Sequence, residues 1–201
     1  MYKNLPLRHK TTTMALDKFF GLDRIGSLLD LNLPAFDNMD AYLNFIIPKV
    51  KSWGEDLREE KYYLSKRWKE IRDTDDFVEN VLHFFNDGGE YLISVDGNIS
   101  TGAWRYLETP NCLILEYGKV TEMFDLAFMN DDFFILQKHG DQIAKGHKQH
   151  FVMVLEKSVG GNSWRDSMDL LFNIYRGNVQ FSVMLLAVIV VIGAVLAFSL
   201  F

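Results

Sequence analysis

The segment CLILEYGKVTEMFDLAF, residues 112–128, sets the pattern for the middle of this chain. Two apolar runs flank Gly118, which sits in a sequence typical of a tight turn. In the second run one face is apolar and the other polar, with Val120, Phe124, Leu126 and Phe128 opposite Thr121 and Asp125. This alternation predicts two antiparallel strands joined by a hairpin, with the Asp125 side chain pointing to solvent.

The same pattern continues on both sides of this hairpin, over residues 68–157. Turn-forming clusters of Asn, Asp, Gly and Pro recur about every ten residues. The runs between them are rich in Phe, Tyr, Ile and Val, and after Trp68 we predict strands at 80–85, 90–95, 100–107, 112–117, 120–128, 132–138 and 150–156. The predicted fold is α+β and mainly β: an antiparallel up-and-down meander that closes into a small barrel. A two-sheet sandwich is the alternative.

A spaced set of glycine and aromatic residues accompanies these strands. It comprises Trp68, Phe84-Phe85, Gly89-x-Tyr91, Gly97, Gly102-x-Trp104, Leu113-x-Leu115 and Phe133-Phe134-Ile135-Leu136. The layout resembles the small lipocalin-like domains of bacteria, which belong to the calycin barrels. The resemblance implies a barrel whose interior either holds an apolar ligand or fills with side chains, and the 16 Phe residues favour the filled interior. Such domains tend to be exported, whereas residues 1–22 lack the pattern of a secretory signal.

Residues 181–201, FSVMLLAVIVVIGAVLAFSLF, contain no charged side chain. About 21 helical residues span roughly 31 Å, close to the hydrocarbon thickness of a bilayer. We predict a single-pass tail anchor in lipid, and a helix buried in a soluble core is the alternative. Lys157, Arg165 and Arg176 precede the segment, which predicts that the folded domain lies on the cytoplasmic side. The predicted lipid-facing residues are Phe181, Met184, Leu185, Ile189, Ile192, Leu196 and Phe201, and Gly193 with Ala197 is a candidate helix–helix contact.

A shorter amphipathic helix is predicted over residues 163–176, with Ser163 as N-cap and Gly177 at its end. Its apolar face carries Trp164, Met168, Leu171 and Tyr175. We interpret it as an interfacial helix in the headgroup layer, with packing against the soluble domain as an equal alternative. Residues 1–67 are predicted to be a helical amphipathic arm, interrupted at Pro34 and Pro48, that closes one end of the barrel or docks on a partner.

The sequence contains no phosphate loop, dinucleotide-binding glycine motif or hydrolase motif. Its net charge of −6 argues against nucleic acid as a partner. The single cysteine, Cys112, is expected to be a buried, unreactive thiol. His139, His147 and His150 are weak candidates for a metal site, and no cofactor is expected.

These features favour a non-enzymatic, membrane-anchored barrel that binds a protein partner or serves as an accessory subunit of a membrane assembly. Its expected surroundings are the lipid bilayer and a protein complex. The alternative is a barrel that binds an apolar small molecule or lipid in its interior. A metal-dependent enzyme using the three histidines is a third hypothesis. Whether the interior is hollow separates the first two.

Overall fold

A computed structural model describes residues 35–74, 79–140, 149–159 and 163–199. Residues 35–175 form one compact unit, and the chain from Arg176 onward belongs to a second. The part of the predicted helical arm within residues 1–34 lies outside the described residues.

The first unit is built on an eight-stranded closed antiparallel barrel in which each strand pairs with its neighbours in sequence. The strands are β1 (Trp68–Ile71), β2 (Val81–Asn86), β3 (Glu90–Val95), β4 (Asn98–Leu107), β5 (Cys112–Tyr117), β6 (Val120–Met129), β7 (Phe133–Lys138) and β8 (His150–Leu155). Pairing of β1 with β8, from Trp68↔Leu155 to Ile71↔Val152, closes the barrel. The predicted meander and barrel are therefore confirmed.

Turn chemistry fixes the hairpins that connect the strands. Asp96 and Gly97 both have positive φ, 48° and 89°, as a two-residue hairpin between right-twisted strands requires. Gly102 serves a different purpose, because a Cβ there would lie 2.3 Å from the carbonyl oxygen of Glu116. This glycine lets β4 and β5 approach closely, directly before Trp104 enters the interior.

One detail of the predicted alternation is wrong. The register of β6 against β7 shifts between Leu126 and Phe128, so that Phe128 pairs with Ile135 and Met129 with Phe134. Met129 consequently joins the interior cluster, whereas Phe128 packs against Gly54 instead. A bulge adds one residue to a strand and turns the following side chains to the other face.

A helical layer covers part of the outside of the barrel within this unit. Helix α1 (Met39–Val50) starts at Asn38, whose side chain accepts a hydrogen bond from the Ala41 amide at 2.8 Å. Its buried face consists of Met39, Tyr42, Leu43, Ile46 and Val50. Asp40 ties the helix to the start of β8 by accepting hydrogen bonds from the amides of Gln149 and His150.

The predicted helical arm is shorter than expected. Beyond α1 only single 3₁₀ turns occur, at Lys51–Trp53 and Glu60–Tyr62. The chain from Gly54 onward leaves the helical path because Leu57 and Tyr63 turn into one end of the barrel, where both are fully buried. The predicted helix therefore ends near Pro48. The segment that follows it closes one end of the barrel with Leu57 and Tyr63 and is not an α-helix.

Helix α2 (Trp164–Ser199) is the long C-terminal helix. Ser163 begins it as predicted, accepting a hydrogen bond from the Arg165 amide at 3.2 Å, but the predicted end at Gly177 is wrong because the helix continues through that residue. Within the described residues it is the one helix long and apolar enough to cross a membrane. The hydroxyls of Ser182 and Ser199 donate to carbonyls of their own helix, so its apolar stretch presents no unsatisfied side-chain donor.

Candidate functional site

One end of the barrel, here called the closed end, is filled by aromatic side chains. Tyr63, Phe85 and Phe134 have ring centroids 5.4 to 6.1 Å apart, and Trp68 lies 5.7 Å from Phe134. Their polar atoms are satisfied locally: Trp68 Nε1 donates to the Tyr63 carbonyl at 3.0 Å and the Tyr63 hydroxyl to the Leu57 carbonyl at 3.0 Å. The interior of the closed end is therefore a packed aromatic core with its polar atoms hydrogen-bonded.

The opposite end, here called the open end, contains a cavity of about 520 Å³. Its walls come from the ends of β1, β3, β5 and β7 and the starts of β2, β6 and β8, which all meet at this end of the meander. The apolar lining includes Val81, Ile93, Val95, Leu115, Phe124 and Phe151. A cavity of this size lies within the range of small-molecule sites.

A chain of four polar side chains crosses one wall of the cavity. Arg72 Nε donates to Glu70 Oε1, and Glu70 Oε2 lies 3.2 Å from Nε2 of His83. The other ring nitrogen of His83, Nδ1, lies 2.7 Å from the hydroxyl of Tyr91. Glu70, His83 and Tyr91 are all buried, with 8%, 3% and 1% exposure. Within this network of four side chains, Glu70, His83 and Tyr91 each have a hydrogen-bond partner, as the stability of buried polar groups requires.

Glu70 carries the negative charge of this four-residue network. Burial works to raise the pKa of Glu70, but hydrogen bonds from His83 and Arg72 outweigh it and hold the pKa below its ordinary value. An ionised carboxylate only accepts hydrogen bonds, so His83 donates through Nε2. Burial, with the charge of Glu70, raises the pKa of Tyr91, so its hydroxyl keeps its proton, and this hydroxyl lies 2.7 Å from Nδ1 of His83.

A second polar group faces the first across the cavity. The hydroxyl of Tyr117 donates to Glu122 Oε2 at 2.7 Å, and Lys138 Nζ lies 3.4 Å from Oε1 of the same carboxylate. Burial and the hydrogen bond to Glu122 raise the pKa of Tyr117. The rings of Tyr91 and Tyr117 meet edge to face at 6.4 Å, so the two groups share one space.

The cavity is better suited to a ligand that donates hydrogen bonds than to an anionic ligand. Glu70, Glu79 and Glu122 line the cavity against Arg72 and Lys138, and both cations are already held by cavity carboxylates. A carboxylate oxygen accepts about two hydrogen bonds, and Glu122 Oε1 has one long contact. The cavity thus offers acceptor oxygens and aromatic faces to a ligand, inside an otherwise apolar wall.

The predicted histidine site is not assembled by the described residues. His150 is buried and its Nδ1 lies 2.6 Å from Asp40 Oδ1, while the exposed His139 contacts Asp125 at 2.9 Å. His147 lies outside the described residues. Asp125 is on the outer face, with 41% of its side chain exposed, as the alternation predicts. Cys112 is fully buried, also as expected.

The predicted interfacial face is used inside the first unit. Met168, Leu171 and Tyr175 are buried there, and the Tyr42 hydroxyl donates to the Met168 carbonyl at 2.9 Å. This geometry corresponds to the packing alternative, because side chains buried in protein are not available to headgroups. Trp164 is only half-buried.

The predicted anchor residues are exposed along the second half of α2. Phe181, Met184, Leu185, Ile189, Ile192 and Leu196 have between 49% and 64% of their surface exposed. Around Gly193 nothing lies within 4 Å of the position a Cβ would take. Phe201 lies outside the described residues.

Sequence reasoning did not bring together the polar residues of the cavity, which include Glu70, His83, Tyr91, Tyr117 and Lys138. A signal was present for two of them. Glu70 lies two residues after Trp68, and His83 lies between Val81 and Phe85, so alternation places both among inward-facing apolar positions. A charged or titratable residue at an inward position needs a partner, which points to a buried network.

Searches of protein-family models, curated proteins and solved structures found no match to this chain. The lipocalin-like family therefore stays a resemblance of pattern, whereas the eight-stranded barrel is a structural fact.

Proposed function

We propose that this protein is a membrane-anchored, non-enzymatic barrel that binds a small apolar molecule carrying a hydrogen-bond-donating head, such as an amine. The observation that carries the proposal is the cavity of about 520 Å³ at the open end, with the carboxylates of Glu70, Glu79 and Glu122 among apolar walls. A barrel of eight strands has an interior just wide enough for side chains or one small ligand, and here the described residues leave a cavity at the open end.

The choice of a donor head follows from the electrostatics of the lining. An amine entering the cavity meets Glu70 and Glu122, together with the aromatic faces of Tyr91, Tyr117 and Phe124. A carboxylate ligand would have to take Arg72 or Lys138 from its present acid partner, which leaves a charge unpaired in a partly desolvated site. An amine is therefore favoured over an acid of the same size.

Binding without reaction is supported by the state of the polar groups. His83 has the hydroxyl of Tyr91 at 2.7 Å, and burial raises the pKa of that hydroxyl instead of activating it as a nucleophile. The other neighbour of His83 is the carboxylate of Glu70. These contacts support a structural role for the histidine in the cavity wall.

Anchoring to a membrane is the second part of the proposal. Helix α2 contains a stretch of mean hydropathy 3.0 that is not buried inside the protein, and lipid is the solvent that such a surface prefers. Extraction with alkaline carbonate should leave the full chain in the membrane pellet, and a version ending at residue 180 should move to the supernatant. Recovery of the full chain in the supernatant would refute the proposal that α2 anchors the protein in a membrane.

A protein partner, the leading hypothesis from sequence, stays a prediction. Outside α2, the large apolar side chains that are exposed among the described residues are Trp53, Ile99, Leu107 and Val120. Ile99 and Leu107 lie near opposite ends of β4, whereas Trp53 and Val120 lie on two other elements, so these side chains are spread over three elements. The cavity is the stronger structural feature, so ligand binding takes precedence.

The ligand proposal is tested with octylamine and octanoate, which share a chain and differ in head charge. Calorimetric titration of the full chain in nanodiscs should show binding of octylamine and weaker or no binding of octanoate. Glu122→Gln removes a cavity carboxylate and should weaken octylamine binding about tenfold, the loss expected for one charged hydrogen bond. Native mass spectrometry after gentle extraction should also reveal a bound small molecule.

Glu116→Gln is the matched control. Glu116 lies on β5 next to the position that pairs with Glu122, but its side chain points to the outer face. This variant removes the same charge and should leave octylamine affinity unchanged. Equal effects of the two substitutions, or tighter binding of octanoate than octylamine, would refute the donor-head site.

A further inference from the structure

Three different donor groups meet on the outer face of the barrel, away from the cavity. Cys112 at the start of β5 is paired in register with Asp125 on β6. His139 follows the last residue of β7, and its amide donates to the Met123 carbonyl at 3.1 Å. Directly paired residues point to the same side of a sheet. Their neighbours Leu113 and Phe124 fill the interior, so Cys112 and Asp125 face outward.

The three side chains already contact one another through Asp125. Cys112 Sγ lies 2.8 Å from Oδ1, and His139 Nδ1 lies 2.9 Å from Oδ1 and 3.0 Å from Oδ2. All three donor atoms lie within 4.8 Å of one another. Sulfur and nitrogen ligands of one tetrahedral zinc ion are separated by roughly 3.5 Å, given bond lengths of about 2.3 and 2.0 Å. Closure around an ion needs movements of about 1 Å, which the exposed His139 side chain can make.

We propose that Cys112, Asp125 and His139 form a three-ligand site for Zn²⁺ or a similar borderline transition metal, with a fourth position open to solvent. A thiolate, an imidazole and a carboxylate are the ligand types that zinc uses, whereas Ca²⁺ and Mg²⁺ require oxygen ligands. Solvent reaches the site because 45% of the His139 side chain and 41% of the Asp125 side chain are exposed.

The charge balance suits a dication. A thiolate and a carboxylate together carry two negative charges, which neutralise Zn²⁺. The positive charge of Lys51 also interacts with Asp125, and it opposes the binding of a metal cation. Metal affinity therefore depends on both anionic ligands being present. This site and the open-end cavity use different residues, and the metal proposal is independent of the ligand proposal.

Binding of a metal ion at this site should release one proton. Cys112 is fully buried and its Sγ lies 2.8 Å from Asp125 Oδ1, the geometry of a thiol that donates a hydrogen bond to a carboxylate, so the side chain carries a proton in the metal-free protein. Zinc binding replaces the S–H bond by a Zn–S bond and releases that proton to solvent. Weak binding to surface carboxylates releases none, which makes the proton a measure of thiolate ligation.

The test uses the full chain in mild detergent with Zn²⁺ or Co²⁺ alone as the probe. Equilibrium dialysis with metal analysis should give one Zn²⁺ per chain, and a weakly buffered titration at pH 7 should detect the released proton. Co²⁺ should produce a thiolate-to-metal charge-transfer band that Zn²⁺ abolishes. Cys112→Ser and His139→Gln should each weaken binding more than about tenfold, since loss of an outer-shell partner alone costs at least that.

Two controls keep the result decisive. Cys112→Ser retains a hydroxyl that can donate to Asp125, so circular dichroism should show an intact fold. Glu116→Gln removes an exposed carboxylate on the same strand and should not alter Zn²⁺ binding. Absence of retained Zn²⁺, or Co²⁺ binding that lacks the charge-transfer band and survives Cys112→Ser, would show that the three side chains form only a hydrogen-bonded cluster.

Discussion

The closed and open ends of the barrel differ in what the inward-facing positions carry. At the closed end these positions hold aromatic rings, with Tyr63, Phe85 and Phe134 at 0% exposure. At the open end they hold titratable residues such as Glu70, His83 and Glu122 around an unfilled space. Eight strands of one meander thus provide a rigid core in one half and a polar-lined cavity in the other. The closed end can fix the strand geometry, and the cavity at the open end is the basis of the ligand binding that we propose.

The largest expected difference between the ends is in stability. Phe134→Ala should lower the free energy of unfolding by about 3–5 kcal/mol, because a fully enclosed ring leaves a cavity that its neighbours cannot fill. Ile93→Ala, at a partly buried position that already lines a cavity, should cost about 1 kcal/mol. Urea unfolding of the two full-length variants in the same detergent measures both. Equal losses would mean that the open end is as tightly packed as the closed end.

Within the open end, the two carboxylates should differ because their burial differs. Glu70→Gln removes a charge that is hydrogen-bonded to His83 and Arg72 and 8% exposed, and it should cost about 3 kcal/mol. Glu122→Gln acts on a more accessible pair with Lys138 and should cost less than about 1 kcal/mol. The same urea experiment at pH 7 compares them. A larger loss for Glu122→Gln would reverse the assignment of the more deeply buried network.

Glu70 also gives the open end a pH dependence. Its pKa in the folded protein is lower than the ordinary value of 4.5, so its stabilising contribution is complete above that pH and is lost as the pH falls below it. Unfolding midpoints of the wild type measured from pH 7 to pH 3 should fall, and Glu70→Gln should remove part of that fall. An unchanged slope in the variant would assign the acid sensitivity to other carboxylates, such as Asp40, whose pKa is also lowered.

Gly102 stands where β4 and β5 approach closely, and its substitution tests whether this strand spacing affects the stability of the barrel. Gly102→Ala places a methyl group 2.3 Å from the Glu116 carbonyl oxygen, and the strands must separate. We expect a loss of about 2 kcal/mol, typical of overpacking. Ala103→Val, at the exposed neighbouring position, should change stability by less than about 0.5 kcal/mol. A tolerated Gly102→Ala would show that this approach is not needed.

The strands were predictable from sequence because their signals are local. Alternation and turn residues identified Glu90–Val95 and Cys112–Tyr117 with the bounds that the structure shows, and placed five further strands to within two residues, whereas β1 was given no bounds. The bulge near Phe128 escaped prediction because it depends on the register against β7, a relation between two strands. Local pattern specifies which segments are strands and leaves irregular pairing open.

The candidate site was less predictable because its partners are distant in sequence. Glu70 and His83 are 13 residues apart, and Asp40 and His150 are 110 residues apart. The face of Met168 and Leu171 was apolar in sequence, but only the tertiary contact with Tyr42 shows that protein covers it. Composition favoured a filled interior, but aromatic content does not show where rings fill the space: Tyr63, Phe85 and Phe134 pack together at the closed end, whereas aromatic residues at the open end line a cavity.

The smallest expected effects come from removing two tyrosine hydroxyls, one at each end of the barrel, which compares an effect on stability with an effect on ligand affinity. The Tyr63 hydroxyl donates to the Leu57 carbonyl in the closed end, and the Tyr117 hydroxyl donates to Glu122 in the open end. Tyr63→Phe leaves a buried carbonyl unpaired and should cost about 1 kcal/mol without changing octylamine affinity. Tyr117→Phe should cost less, because water can replace the hydroxyl at the accessible Glu122, and octylamine affinity should rise up to about fivefold as the freed oxygen accepts the ligand. Urea unfolding and calorimetric titration of both variants give the four values. If Tyr63→Phe altered ligand affinity while Tyr117→Phe did not, the division of the barrel into a core half and a binding half would fail.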